Sequence, residues 1–198
     1  MLPEKIIIIG VVINLFACIW YVRSIIYGKT RPNLVSWFIW MLAPFVGTFL
    51  ALKAGAGFSV TGIFMAGFGP FLVIIVSLIK KNAFWKIEPF DLLCGFFSLM
   101  ALVLYIFTYN LAISILFAII SDGLAAIPTI IKSWKFPETE SNSIYAGGIV
   151  NNILSLLIIK NWIFSIYSFN IYFVLVNLVI IFSIYRKKFF RKQKPVSS

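Results

Sequence analysis

Apolar residues in this chain come in long blocks, separated by short clusters carrying lysine, arginine, proline, glycine or asparagine. The clearest block runs from 92 to 131, forty residues in which Asp122 is the sole formal charge. As one helix it would be about 60 Å long at ~1.5 Å per residue, roughly twice a bilayer's hydrocarbon core, so it must fold back once. Tyr109-Asn110 supplies the turn, with no charge to mark it, and is the weakest boundary in the chain. Cutting the remaining blocks at their polar breaks gives seven segments: 6–24, 34–52, 58–79, 90–107, 111–131, 143–159 and 166–185. Each approaches the ~20 residues a helix needs to cross hydrocarbon. The pattern predicts an all-α integral membrane protein with seven transmembrane helices.

Composition and charge sharpen that picture. The 198 residues are 62% hydrophobic and 12% charged, with mean hydropathy +1.03, where a soluble domain carries about 25% charge. The first segment continues to Tyr21 without a small-residue cleavage pattern, so it reads as a retained span. The net charge of +11, from 17 basic and 6 acidic residues, would suit nucleic acid if it were clustered on a soluble surface. Instead the basic residues sit between apolar blocks, which argues for topology and against nucleic acid as a partner. With seven crossings, 14 of them fall on one side, and Lys5, Lys53 and Lys160 on the other. This distribution predicts an outside N-terminus and a cytoplasmic C-terminus, with a bacterial plasma membrane the expected location. The tail from Arg186 to Lys194 carries six of the basic residues around Phe189 and Phe190, suiting it to meet membrane lipids as an anchor.

The chain holds no histidine, and Cys18 and Cys94 lie in apolar blocks outside any CxxC pair. Zinc hydrolysis and serine–histidine chemistry therefore lose their usual groups, and the cysteines read as small buried hydrophobes. No nucleotide loop or nucleophile triad appears, so neither an enzyme, a metal site nor a cofactor is expected. The seventh segment has no internal lysine for a retinal Schiff base.

Three segments, one segment and three more divide the chain into a first repeat (1–86), a linker helix (87–110) and a second repeat with the basic tail (111–198). The odd central helix gives both triplets the same direction through the membrane. At an offset of 105 residues, Ile25, Ile26, Pro32 and Ser36 match Ile130, Ile131, Pro137 and Ser141. Pro32 and Pro137 are helix-start residues or hinges at the mouth of a route. Pro44, Pro70 and Pro128 interrupt apolar segments and serve either packing or gating. Asp122 is too costly to face lipid, so it faces a polar cavity or another helix. Asn151, Asn152 and Asn177 can bind a neutral polar solute or tie helices together; Asn14 offers the same choice in the first segment. Trp37, Trp134 and Trp162 lie near predicted boundaries as aromatic anchors, while Trp40 and its offset partner Tyr145 are placed to face a shared central route.

The 3+1+3 organisation with a proline-containing approach to the second helix of each triplet resembles the PQ-loop superfamily, in particular SWEET-like sugar transporters. Gly28-Lys29-Thr30-Arg31-Pro32-Asn33-Leu34-Val35-Ser36-Trp37 resembles a divergent PQ-loop turn with Asn33 in place of the glutamine, and Pro137-Glu138 occupies the related turn. The resemblance implies two three-helix bundles around a central pathway and alternating access of a small solute. In sugar-transporting relatives an asparagine on the third helix of each triplet joins the site. Asn177 matches that position, whereas its offset partner is Leu72. The expectation is transport of a small polar solute, a sugar among the candidates, by Asp122, Asn151, Asn152, Asn177, Trp40 and Tyr145. The alternative is a non-transporting structural or interaction protein, and self-association stays open.

Overall fold

Each of the seven apolar segments becomes a helix. In the computed structural model, which describes residues 6–53, 61–80, 83–108, 110–159 and 162–191, the helices are α1 (Ile6–Ile26), α2 (Leu34–Lys53), α3 (Thr61–Ile79), α4 (Pro89–Phe107), α5 (Leu111–Lys135), α6 (Ser143–Leu157) and α7 (Phe164–Arg191). A single 3₁₀ turn, Pro137–Thr139, lies between α5 and α6, and no strand occurs among the described residues. Tyr109, Phe58, Lys5, Lys81, Lys160 and the tail beyond Arg191 lie outside the described residues.

The exterior is largely apolar, and the interior mixes polar with apolar side chains, unlike a soluble fold. Ser36, Ser98, Ser121, Asp122, Thr129, Lys132 and Glu140 are buried, while Phe16, Trp20, Phe96 and Leu175 are exposed. Such an apolar exterior has its low-energy solvent in lipid, and buried polar groups then need partners inside the bundle. Among the described residues, four helical stretches are long and apolar enough to cross a membrane: Ile8–Ile26, Pro89–Phe107, Ala112–Lys135 and Ile166–Lys188. The protein is thus an integral membrane protein. Among the described side chains the other three helices show the apolar stretches Leu34–Val46, Phe64–Ile79 and Ser143–Leu157.

Local chemistry sets the boundaries. The chain leaves α1 through Gly28 at φ +70°, a left-handed turn that glycine adopts without a Cβ clash. Asn33 caps α2, its Oδ1 accepting from the amides of Val35 (3.1 Å) and Ser36 (3.4 Å). Asp91 turns back to accept the Glu88 amide at the start of α4 (2.9 Å). The uncharged turn before α5 is stabilised by Asn110, which accepts from Ala112 (3.0 Å) and Ile113 (3.3 Å). Two helices, α5 and α7, outrun the hydropathy boundaries by a full turn or more at their C-terminal ends. The last turn of α5 includes Lys132 and Lys135, and α7 continues into the basic tail to Arg191. Basic side chains favour a helix C-terminus, so hydropathy alone stops too early.

The helices pack in a recurring order. α3 lies between α1 and α2, and α7 lies between α5 and α6. Across these sets α1 packs on α6 and α2 on α5, while α4 sits against α5 and α2. Three connections meet at one end of the bundle. The Arg31 amide donates to the Thr139 carbonyl (2.9 Å), the Trp85 amide donates to the Pro32 carbonyl (2.9 Å), and the Trp85 and Phe136 rings approach to 5.0 Å. The C-terminal part of α7 reaches the same end, where the Arg186 guanidinium lies 4.7 Å over the Trp134 ring. Successive helices therefore run alternately away from and toward this basic end.

Candidate functional site

A buried polar lock joins the elements that meet at the basic end. Glu140, just after the 3₁₀ turn, accepts from the Tyr21 hydroxyl of α1 and the Lys132 ammonium of α5. The Lys132 and Glu140 side chains are 1% and 0% exposed. Lys132 also donates to the Arg31 carbonyl (2.6 Å), so one ammonium ties α5 to both turns that meet there. Alongside it, Thr129 of α5 donates to Ser36 of α2 (2.9 Å). These bonds offset much of the cost of removing two charges from water, so a buried pair of this kind adds little net stability although losing one partner is costly.

Behind the lock stands an aromatic layer. Tyr21 touches Trp37 (centroids 4.9 Å) and Tyr145 (6.2 Å, edge-on), and Trp37 meets Trp40 edge-on at 5.3 Å. The structure thereby joins Tyr145 and Trp40, the offset pair, through Tyr21 and Trp37. Trp37 departs from its expected role as a boundary anchor. It is buried at 2% exposure, because α2 enters the bundle directly after Asn33 and presents the indole to α1 rather than to lipid.

Asp122 lies further along α5 at 5% exposure. Its Oδ2 accepts from the Tyr172 hydroxyl of α7 (2.6 Å), and the Trp40 indole N–H reaches its backbone carbonyl at 3.5 Å. Asp122, Trp40 and Tyr172 thus form one point where α5, α2 and α7 converge. Gly123 faces the same hydroxyl, where an added Cβ would sit 3.5 Å away. Among the described residues Asp122 forms no ion pair, while Glu140 has Lys132.

The asparagines do not join that point. Asn152 and Asn177 each donate to a carbonyl one turn back on their own helix, Gly148 and Phe173, both at 2.8 Å. Asn177 lies against Gly148, where a Cβ would come within 3.0 Å of its Nδ2. The Asn151 Oδ1 is buried without a partner and packs on Gly10 of α1, where a Cβ would come within 2.7 Å. Pro32 and Pro70 are buried, Pro128 is buried within α5, and Pro44 is half-buried within α2; Pro137 opens the 3₁₀ turn. α2, α3 and α5 continue through their prolines, each with one backbone carbonyl lacking its usual N–H partner.

Tyr172, Tyr21, Glu140 and Lys132 were not singled out by the sequence. Tyr172 is one aromatic among many in its segment. Lys132 reads as a topological charge until Glu140, eight residues later across a proline turn, is seen to face it. A cleft of about 450 Å³ between α2, α3 and α4 is apolar throughout, and none of the candidate residues lines it. No family model, curated protein or solved structure matches this chain.

Proposed function

We propose that the protein carries a small polar solute across a membrane by alternating access, with two three-helix units, α1–α3 and α5–α7, joined by α4. The observation that carries this reading is the repeated packing order. The third helix lies between the other two in each triplet, and the triplets face each other through the equivalent pairs α1–α6 and α2–α5. The offset residues agree with it, since Trp40 lies on the α2–α5 face and Tyr145 on the α1–α6 face. Seven crossings in a 3+1+3 arrangement, as in PQ-loop proteins, and a cytoplasmic basic end follow from the same reading.

In this picture the lock is the inner gate in its closed state. Its ion pair and hydrogen bonds hold it shut, but Asn33 Nδ2, Trp37 Nε1, Ser133 Oγ and Tyr145 OH are buried there without protein partners. Each such group costs on the order of 1–3 kcal/mol, which water would relieve when the end opens. The closed state is therefore not held so deeply that it cannot exchange. Asp122, with Trp40 and Tyr172, supplies the polar contact on the route, and the asparagines tune the α1–α6 and α6–α7 faces.

The test is a reversible lock. Cysteines at Ser36 and Thr129, in a background lacking Cys18 and Cys94, are oxidised in proteoliposomes loaded with a labelled solute panel. Transport predicts flux of at least one solute in the reduced protein, its loss on oxidation and its return with reductant. A second reading, a non-transporting bundle, is favoured by one observation, the self-bonded Asn152 and Asn177. It predicts no flux in either redox state.

A further inference from the structure

The apolar cleft reaches the basic end, where its lining includes Leu34 at the start of α2, Leu78 near the end of α3 and Ile87 just before α4. Each mouth residue stands beside an exposed cation in sequence: Arg31 before Leu34, Lys80 after Leu78 and Lys86 before Ile87. The acids at this end of α4 are Glu88 and Asp91, and Asp91 is turned inward to the Glu88 amide. The mouth is therefore basic on balance. From there the cleft runs past Ile74 and Gly95 to Leu99. The ten helical steps of α4 from Pro89 to Leu99 rise about 15 Å, half the ~30 Å hydrocarbon core and so the depth of one leaflet. Gly95 helps form it. α4 approaches α2 so closely that a Cβ there would stand 2.6 Å from Val35 Cγ1.

We propose that this cleft seats one acyl chain of an anionic phospholipid from the basic-side leaflet, with its headgroup phosphate on Arg31, Lys80 and Lys86. Apolar walls alone would accept any lipid chain. The cations at the mouth select the headgroup, since basic residues between spans at the membrane surface attract anionic lipids. The cavity of about 450 Å³ is of the order of a single chain and holds no polar lining for a solute. The site does not depend on the transport reading, because it shares with the lock only Arg31, whose backbone serves the lock, and neither Asp122 nor the asparagines line the cleft.

Native mass spectrometry of the full-length protein in detergent tests it, with dioleoyl phosphatidylglycerol and dioleoyl phosphatidylcholine offered in equal amounts. One tightly retained lipid is expected, with phosphatidylglycerol preferred by about tenfold. Lys80→Gln with Lys86→Gln should remove that preference while leaving chain binding. Leu99→Trp, or the milder Leu99→Phe if the first does not fold, should reduce retention of both lipids by filling the cleft. Equal retention of the two lipids by the unaltered protein would overturn the proposal. So would a preference that survives at Lys80 and Lys86 but disappears with Lys187→Gln and Lys188→Gln, which would move recognition to the end of α7. Retention unaffected by both Leu99 variants would remove the cleft as the seat.

Discussion

Two buried acids occupy opposite electrostatic situations within the bundle. Glu140 is held by an ammonium, a phenol and the Ser141 amide (3.2 Å), whereas Asp122 has a phenol and no ion pair among the described residues. Removing one member of a buried pair strands the other charge, so Lys132→Met should lower stability by about 3–5 kcal/mol. Adding Glu140→Gln to that variant should restore more than half of the loss, because no net charge remains buried. Thermal unfolding of the three proteins in detergent gives the comparison; a double variant as unstable as Lys132→Met would mean the lock is not electrostatic. At the other acid, Tyr172→Phe deletes a single donor and should cost roughly 1–3 kcal/mol. Asp122→Asn keeps an acceptor for that phenol, so it should leave the unfolding temperature nearly unchanged while abolishing flux in proteoliposomes. A variant with full flux would take Asp122 off the route.

At the scale of helices, hydropathy located every element but not its neighbours. Polar breaks placed α4 and α5 to within a residue at their facing ends, because Asn110 both interrupts the apolar run and caps the next helix. The extensions of α5 and α7 were hidden because charged helical turns and charged loops look alike in hydropathy. Long-range partners were hidden for a different reason. The Tyr172–Asp122 bond and the Tyr21–Glu140 bond span fifty and more than a hundred residues, and no local spacing encodes them. The asparagines illustrate the limit from the other side. Their polarity in apolar segments was legible, but which of them bond to their own helix depends on rotamers and on facing glycines. That dependence is testable where α1 meets α6. Gly10→Ala places a methyl group against Asn151 Oδ1, and overpacking of this kind costs typically 1–3 kcal/mol. Asn151→Ala in the same protein should relieve most of it. Unfolding temperatures that fall with Gly10→Ala and recover in the pair would establish the contact; additive losses would not.

For the molecule as a whole, the decisive relation is that alternate connections share one end. The α1–α2 turn, the α3–α4 connection and the α5–α6 turn are tied there by backbone bonds from Arg31 and Trp85 and by the Trp85–Phe136 stack. These are short-range interactions between segments more than fifty residues apart, so they fix relative position far more tightly than charge counting does. If the helices cross a bilayer, Lys29, Lys86 and Lys135 must face the same compartment, and Asn110, at the far end of α4 and α5, the other. Single cysteines at these four positions, in a protein lacking Cys18 and Cys94, can be labelled with a membrane-impermeant maleimide in intact cells and after permeabilisation. The basic-side rule places positions 29, 86 and 135 inside, reacting only after permeabilisation, with 110 reacting from outside. The reverse assignment for all four would invert the orientation but keep the architecture. Labelling that separated position 86 from 135 would instead be incompatible with the Trp85–Phe136 contact across one aqueous face. It would remove the shared end, the lock that closes it and the two-unit reading together.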